Sequence, residues 1–220
     1  MSSPHPAIDL TARVPLWRRP FQVIRANRPA YLIINAAAYG LAIIGFVIGI
    51  LFPDLNAARV TALEDDGTGE LVRWLVTIPP LFALMILGVN LFRLSLLTIV
   101  LPSLVVPFAG LAFFGYWAVE TGITLAPATP ERWVGLIPHS LTFIIELQAY
   151  VLLLLGAFIL GRNWLFPRRV GAKNRRQGYV RGLKQLGLLA LPALVLLIVG
   201  ALWEAYSLRY FIHPLSQWLL

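Results

Sequence analysis

Glu146 is the one charged side chain inside the apolar stretch that runs from Trp133 to Gly161. A carboxylate in the middle of a bilayer costs about 2.5–3.5 kcal/mol on insertion scales, so it belongs against protein or water rather than lipid. On a helix, His139, Thr142 and Glu146 fall at i, i+3 and i+7 and share one stripe, with Tyr150 next on it. The rise per residue separates His139 from Glu146 by about 10 Å along the axis. That is too far for a direct bond, but one water or partner group could link them. Such a stripe supports two kinds of chemistry. It could line a cavity, a proton path or a substrate contact. Or Glu146 could be a buried polar clamp, bonded to another helix. Asn35, Asn90, Arg93, Tyr116 and Gln148 are the candidate partners.

More specific catalytic patterns are missing. No H-E-x-x-H run is present, and one histidine with one carboxylate lacks a third zinc ligand. No G-x-S-x-G elbow and no P-loop occur. With no cysteine, thiol catalysis and thiolate metal sites are excluded. The expectation is a non-enzymatic chain with no cofactor and no metal. His5 and His213 lie in the tails. Asn35 and Asn90 read as interhelical hydrogen-bonding groups, and Glu204 as a residue meeting the outer interface.

The stripe must be positioned by membrane-spanning helices. The chain is 59% hydrophobic and 13% charged, about half the charge of a soluble domain. Its apolar runs reach the ~20 residues that a span requires. The fold class expected is an all-α polytopic helix bundle of five spans. A basic cytoplasmic tail (residues 1–28) precedes one transmembrane domain (29–220), with Trp17, Phe21 and Ile24 on the lipid face of a short interfacial helix. The first apolar run follows Arg13, Arg18, Arg19, Arg25 and Arg28 and reads as an uncleaved span. The spans are placed at 30–51, 74–92, 94–119, 136–161 and 185–205. Gly45 and Gly49 form a small-xxx-small packing pair in the first. Arg93 separates the second from the third, where prolines 79, 80, 102 and 107 predict kinks or a re-entrant segment. Pro192 predicts a kink in the fifth.

Between spans, residues 53–73 read as an exposed acidic loop broken by Gly67 and Gly69, and 120–132 as a second one. Residues 162–184 carry eight Lys and Arg and no acid. Lys and Arg collect on the cytoplasmic side. The alternating sign of the loops therefore predicts the N-terminus inside and the C-terminus outside. The net charge of +8, concentrated in the tail and the last loop, suits anionic headgroups, and no nucleic-acid module is present.

The run LIPHSLTFIIELQAYVLLLLGAFILG (136–161) resembles the IPHG…E…A…G…LG segment of the stage II sporulation protein M family, with Ser140 where the family has glycine. RANRPAYLIINAAAYGLAIIGFVIG resembles the opening of that family, and ALWEAYSLRYFIHP its closing segment. The resemblance implies a multi-helix integral membrane protein of the plasma membrane of a bacterium or archaeon. The sporulation member works with peptidoglycan-degrading proteins, and some relatives accompany maturation or export of circular bacteriocins. The leading expectation is a scaffold or assembly factor, whose partners are the lipid bilayer and other membrane proteins or further copies of itself. The alternative is a component of transport or peptide maturation that uses the polar stripe. Intramembrane catalysis by His139 and Glu146 comes last.

Overall fold

The computed structural model describes residues 15–220. The start of the basic tail, with Pro4, His5, Pro6 and Arg13, lies outside the described residues. All regular elements among the described residues are helical. A short amphipathic helix α1 (Arg19–Ala26) leads into α2 (Arg28–Leu51). Two polar helices follow, α3 (Pro53–Asp65) and α4 (Thr68–Leu75). Then come α5 (Pro79–Val105), α6 (Ala109–Leu125), α7 (Pro130–Leu165), α8 (Arg175–Tyr210) and a final α9 (Ile212–Leu219).

Four of these, α2, α5, α7 and α8, are long and apolar enough to cross a membrane. Their contacts fix their relative directions. Tyr31 meets Gln148 and Phe46 meets Trp133, so α2 runs antiparallel to α7. Phe82 packs with Ala205 and Tyr179 bonds the carbonyl of Leu104, so α5 runs antiparallel to α8. Helix α6 carries the chain back between α5 and α7. Phe108 packs on Phe158, while Phe114 and Trp117 pack on Tyr150. With 17 residues, α6 is shorter than those four helices.

Helix α7 is the centre of the bundle. Every residue from Ala149 to Ala157 is buried, which a helix achieves only when neighbours surround it. Helices α2 and α6 approach backbone to backbone. A Cβ at Gly45 would collide with the carbonyl of Val119, and one at Gly122 with the carbonyl of Ala42. Gly45 and Gly49 thus serve the close packing expected of a small-xxx-small pair.

The structure corrects several sequence-based boundaries. The turn expected at Arg93 lies instead at Val106–Phe108, between α5 and α6, where Phe108 has φ 68°. Arg93 lies near the middle of α5, where the backbone widens into π-type turns over Val89–Val100. There the Ser95 and Thr98 hydroxyls donate to carbonyls five residues back, those of Asn90 and Arg93. Pro102 sits inside α5 and Pro107 in the turn that ends it. The long apolar helix expected from Trp74 starts at Pro79 instead, because proline suits a helix start.

Residues 53–73 are not an irregular loop but two helices joined at Asp66–Gly67, with Gly67 at φ 79°. Its exposure and the break at Gly67 are as expected, whereas Gly69 lies inside α4. The basic 162–184 segment is mostly helical, because α7 runs on to Leu165 and α8 begins at Arg175, leaving a short connection. Asn174 caps α8 by accepting the Gln177 N–H at 2.9 Å. Helix α8 continues through Pro192 without interruption.

Candidate functional site: two carboxylates between three helices

Helix α7 starts at Pro130 behind Thr129, whose side chain accepts the Arg132 N–H. It passes through Pro138, whose ring leaves a carbonyl one turn earlier without its usual donor. Trp203 of α8 packs here and donates from Nε1 to the Pro138 carbonyl at 3.1 Å. That contact sets the register of α8 against the stripe, and it brings His139 Nδ1 to 3.4 Å from Glu204 Oε1.

Two turns deeper, Glu146 accepts a hydrogen bond from Asn90 Nδ2 of α5 at 2.5 Å. On its other side stands Gly200 of α8, where a Cβ would lie 2.8 Å from Glu146 Cγ and 3.3 Å from Oε1. Glu204 is one turn beyond Gly200 on the same face of α8. The order along the cluster is therefore His139, Glu204, Glu146, Asn90. Glu146 has a donor from α5, and Glu204 has the His139 ring of α7 beside it at 3.4 Å. Two hydroxyls on the stripe have none: Thr142 Oγ1 and Tyr150 Oη are buried without a partner.

The structure sorts the predicted partners of Glu146. Asn90 is one. Asn35 and Gln148 are not, because they form a separate node between α2 and α7. There Gln148 Nε2 donates to Asn35 Oδ1 at 2.8 Å and to the Tyr39 hydroxyl at 2.9 Å, while the Tyr31 hydroxyl donates to Gln148 Oε1 at 3.0 Å. Tyr116 donates instead to Glu120 at 2.7 Å. Arg93 is instead exposed on α5 beside Phe92, Leu96 and Leu97, and its charge reaches Asp66. Sequence reasoning named His139, Thr142 and Glu146 but missed Glu204, Gly200 and Trp203 as members of the site. A signal did exist. His139 and Glu204 lie at nearly equal distances from the Phe166–Asn174 turn, so an antiparallel pair of 36-residue helices sets them side by side.

The polar α3–α4 hairpin leans on the same end of the bundle. Asn56 Nδ2 bonds the carbonyls of Ile123, Thr124 and Ala126, and Arg59 pairs with Glu120 at 3.3 Å. Arg73 grips Glu64 with both guanidinium nitrogens, at 3.0 and 3.1 Å. At the hairpin tip, Asp66 accepts the Thr68 N–H at 2.9 Å. Hydrogen bonding to Thr68 holds its carboxyl below the usual carboxylate range, with a smaller pull from Arg93. Among the described residues no group of three or more His, Asp or Glu side chains converges as a metal site.

No family model, curated protein or solved structure matches this chain.

Proposed function

We propose that this protein is a non-enzymatic scaffold or assembly factor of a prokaryotic plasma-membrane complex, similar in kind to the stage II sporulation protein M family. In this reading it crosses the bilayer five times, with α6 as the short pass, the N-terminus inside and the C-terminus outside. The observation that carries it is Arg93. An arginine near the middle of a 27-residue apolar helix, on a face with exposed Phe92, Leu96 and Leu97, is costly against lipid. Asp66 at the tip of the α3–α4 hairpin offsets part of that charge, and a neighbouring membrane protein packed on the surrounding apolar face would shield the rest from lipid. The interior of the bundle supports the same reading. Glu146–Asn90, Trp203–Pro138 and the Gln148 node tie α2, α5, α7 and α8 into one body.

The test is purification in mild detergent with a photo-crosslinking residue at Phe92 or Leu97. Crosslinks to another membrane protein or to a second copy are expected, and Arg93→Gln should reduce them at unchanged expression. Recovery of a lone chain without adducts, from both positions, overturns the proposal.

A second reading has its own support. The orphan hydroxyls of Thr142 and Tyr150 flank a carboxylate pair that ends in His139. This is the sequence of groups a proton could follow in a transport or peptide-maturation component. Under that reading Glu146→Gln abolishes activity while folding persists. Under the scaffold reading the amide, which still accepts from Asn90, leaves complex formation intact.

A further inference from the structure

We infer that the groove beneath α1 is a binding site for one anionic phospholipid, with an acyl chain inside and the phosphate at an arginine rim. The inference does not depend on the scaffold reading. The groove encloses about 770 Å³ between the N-terminal segment and the bundle. Pockets that hold small ligands run from about 300 to 1,000 Å³. Trp17, Phe21 and Ile24 form one wall, and Leu152 of α7 with Leu191 and Val195 of α8 form the other. Tyr31 and Gln148 are at one end, but they are bonded to each other and so present no free charge to a ligand. The interior therefore suits a hydrocarbon chain.

Helix α1 is fixed in place. Val23 is fully buried, and the Asn27 side chain donates to the Val23 carbonyl at 2.9 Å. Trp17 and Phe21 nevertheless remain 65% and 64% exposed, so the groove is roofed but open along one side.

The charge at the rim selects the ligand. Between Pro15 and Ala30 there are four arginines and no acid. The Arg18 guanidinium stacks over the ring of Trp17, a residue of the groove wall, 4.6 Å from its centroid. Arg25 is exposed one turn beyond Phe21. Guanidinium groups recognise phosphate through paired N–H donors. An apolar slot with a cationic rim and no acidic group is complementary to an anionic lipid and not to a zwitterionic one.

The test uses the full chain in mild detergent, with lipid adducts counted by native mass spectrometry. The probes are dioleoylphosphatidylglycerol, dioleoylphosphatidylcholine with the same chains, and inorganic phosphate. The wild type should retain phosphatidylglycerol in preference to phosphatidylcholine. Val195→Trp, which fills the groove from an exposed position, should remove most of that adduct. Arg18→Gln and Arg25→Gln should each lower phosphatidylglycerol occupancy roughly fivefold and leave phosphatidylcholine unchanged. Leu196→Phe gives a second groove-filling test should Val195→Trp elute aggregated.

Equal retention of the two lipids overturns the proposal, as does undiminished phosphatidylglycerol in the folded groove-filling variants. So does displacement of the lipid by inorganic phosphate, which would mean an anion site without a chain. A chain lacking residues 1–14 that binds lipid where the full chain does not would make the N-terminal segment the occupant, and the proposal would fall.

Discussion

Replacing Gly200 by alanine probes the contact on which the candidate site depends. A Cβ there lies 2.8 Å from Glu146 Cγ and 3.3 Å from Oε1. Cγ is too near the backbone to swing away freely. Moving it also breaks the bond from Asn90, so α7 and α8 must separate or the Glu146–Asn90 pair must open. Overpacking of this kind costs about 1–3 kcal/mol. Alanine otherwise favours a helix by up to about 1 kcal/mol over glycine. Gly200→Ala should therefore destabilise the wild type. In a Glu146→Ala background, where Cγ and the carboxylate are gone, it should be neutral or stabilising. In a Glu146→Gln background Cγ remains, and the cost should return. The assay is reversible unfolding in detergent or bicelles for the single and double variants, read as a mutant cycle. A Gly200→Ala cost that is the same in the wild-type and Glu146→Ala backgrounds would refute the geometry, because two groups that do not touch add independently.

Three further outcomes are expected. Gly45→Leu should destabilise more than Gly40→Leu, since a Cβ at Gly45 meets the Val119 backbone while Gly40 faces open space; equal thermostability of the two variants would argue against the α2–α6 contact. Gln148→Leu removes three bonds to Tyr31, Asn35 and Tyr39 and, at about 0.6 kcal/mol per membrane hydrogen bond, should cost about 2 kcal/mol in the same unfolding assay. Asp66 has a depressed folded-state pKa, so its contribution is present above the ordinary carboxylate value and lost as pH falls through the lower folded value. Protection of the Thr68 amide, taken relative to its intrinsic exchange rate at each pH, should fall only in that acidic window, and Asp66→Asn should shift or remove the transition.

How much of this architecture could be read in advance varies with the kind of residue. The apolar runs declared helices, because a backbone in lipid must satisfy its own hydrogen bonds. The isolated carboxylate of Glu146 declared a protein-facing position for the same energetic reason. Helix ends were harder to read. Arg93 looked like a turn because charge usually marks an interface, whereas α5 carries it in mid-helix and turns at Val106–Phe108 instead. Residues 53–73 looked irregular because their polarity and two glycines outweighed a helical preference that Asn56 and the Arg59–Glu120 pair stabilise from outside the segment.

The sequence alone determined that the chain is a helical bundle rich in membrane-length segments, and that His139, Thr142 and Glu146 share one face of one helix. Both follow from local properties, the hydrophobicity of a run and the period of a helix. Only the tertiary structure decided what that face meets. Glu204, Gly200 and Asn90 come from helices far away in the chain, and their approach depends on the packing register of α7 against α5 and α8. That register is a sum of many small contacts along two 36-residue helices, and no single residue encodes it.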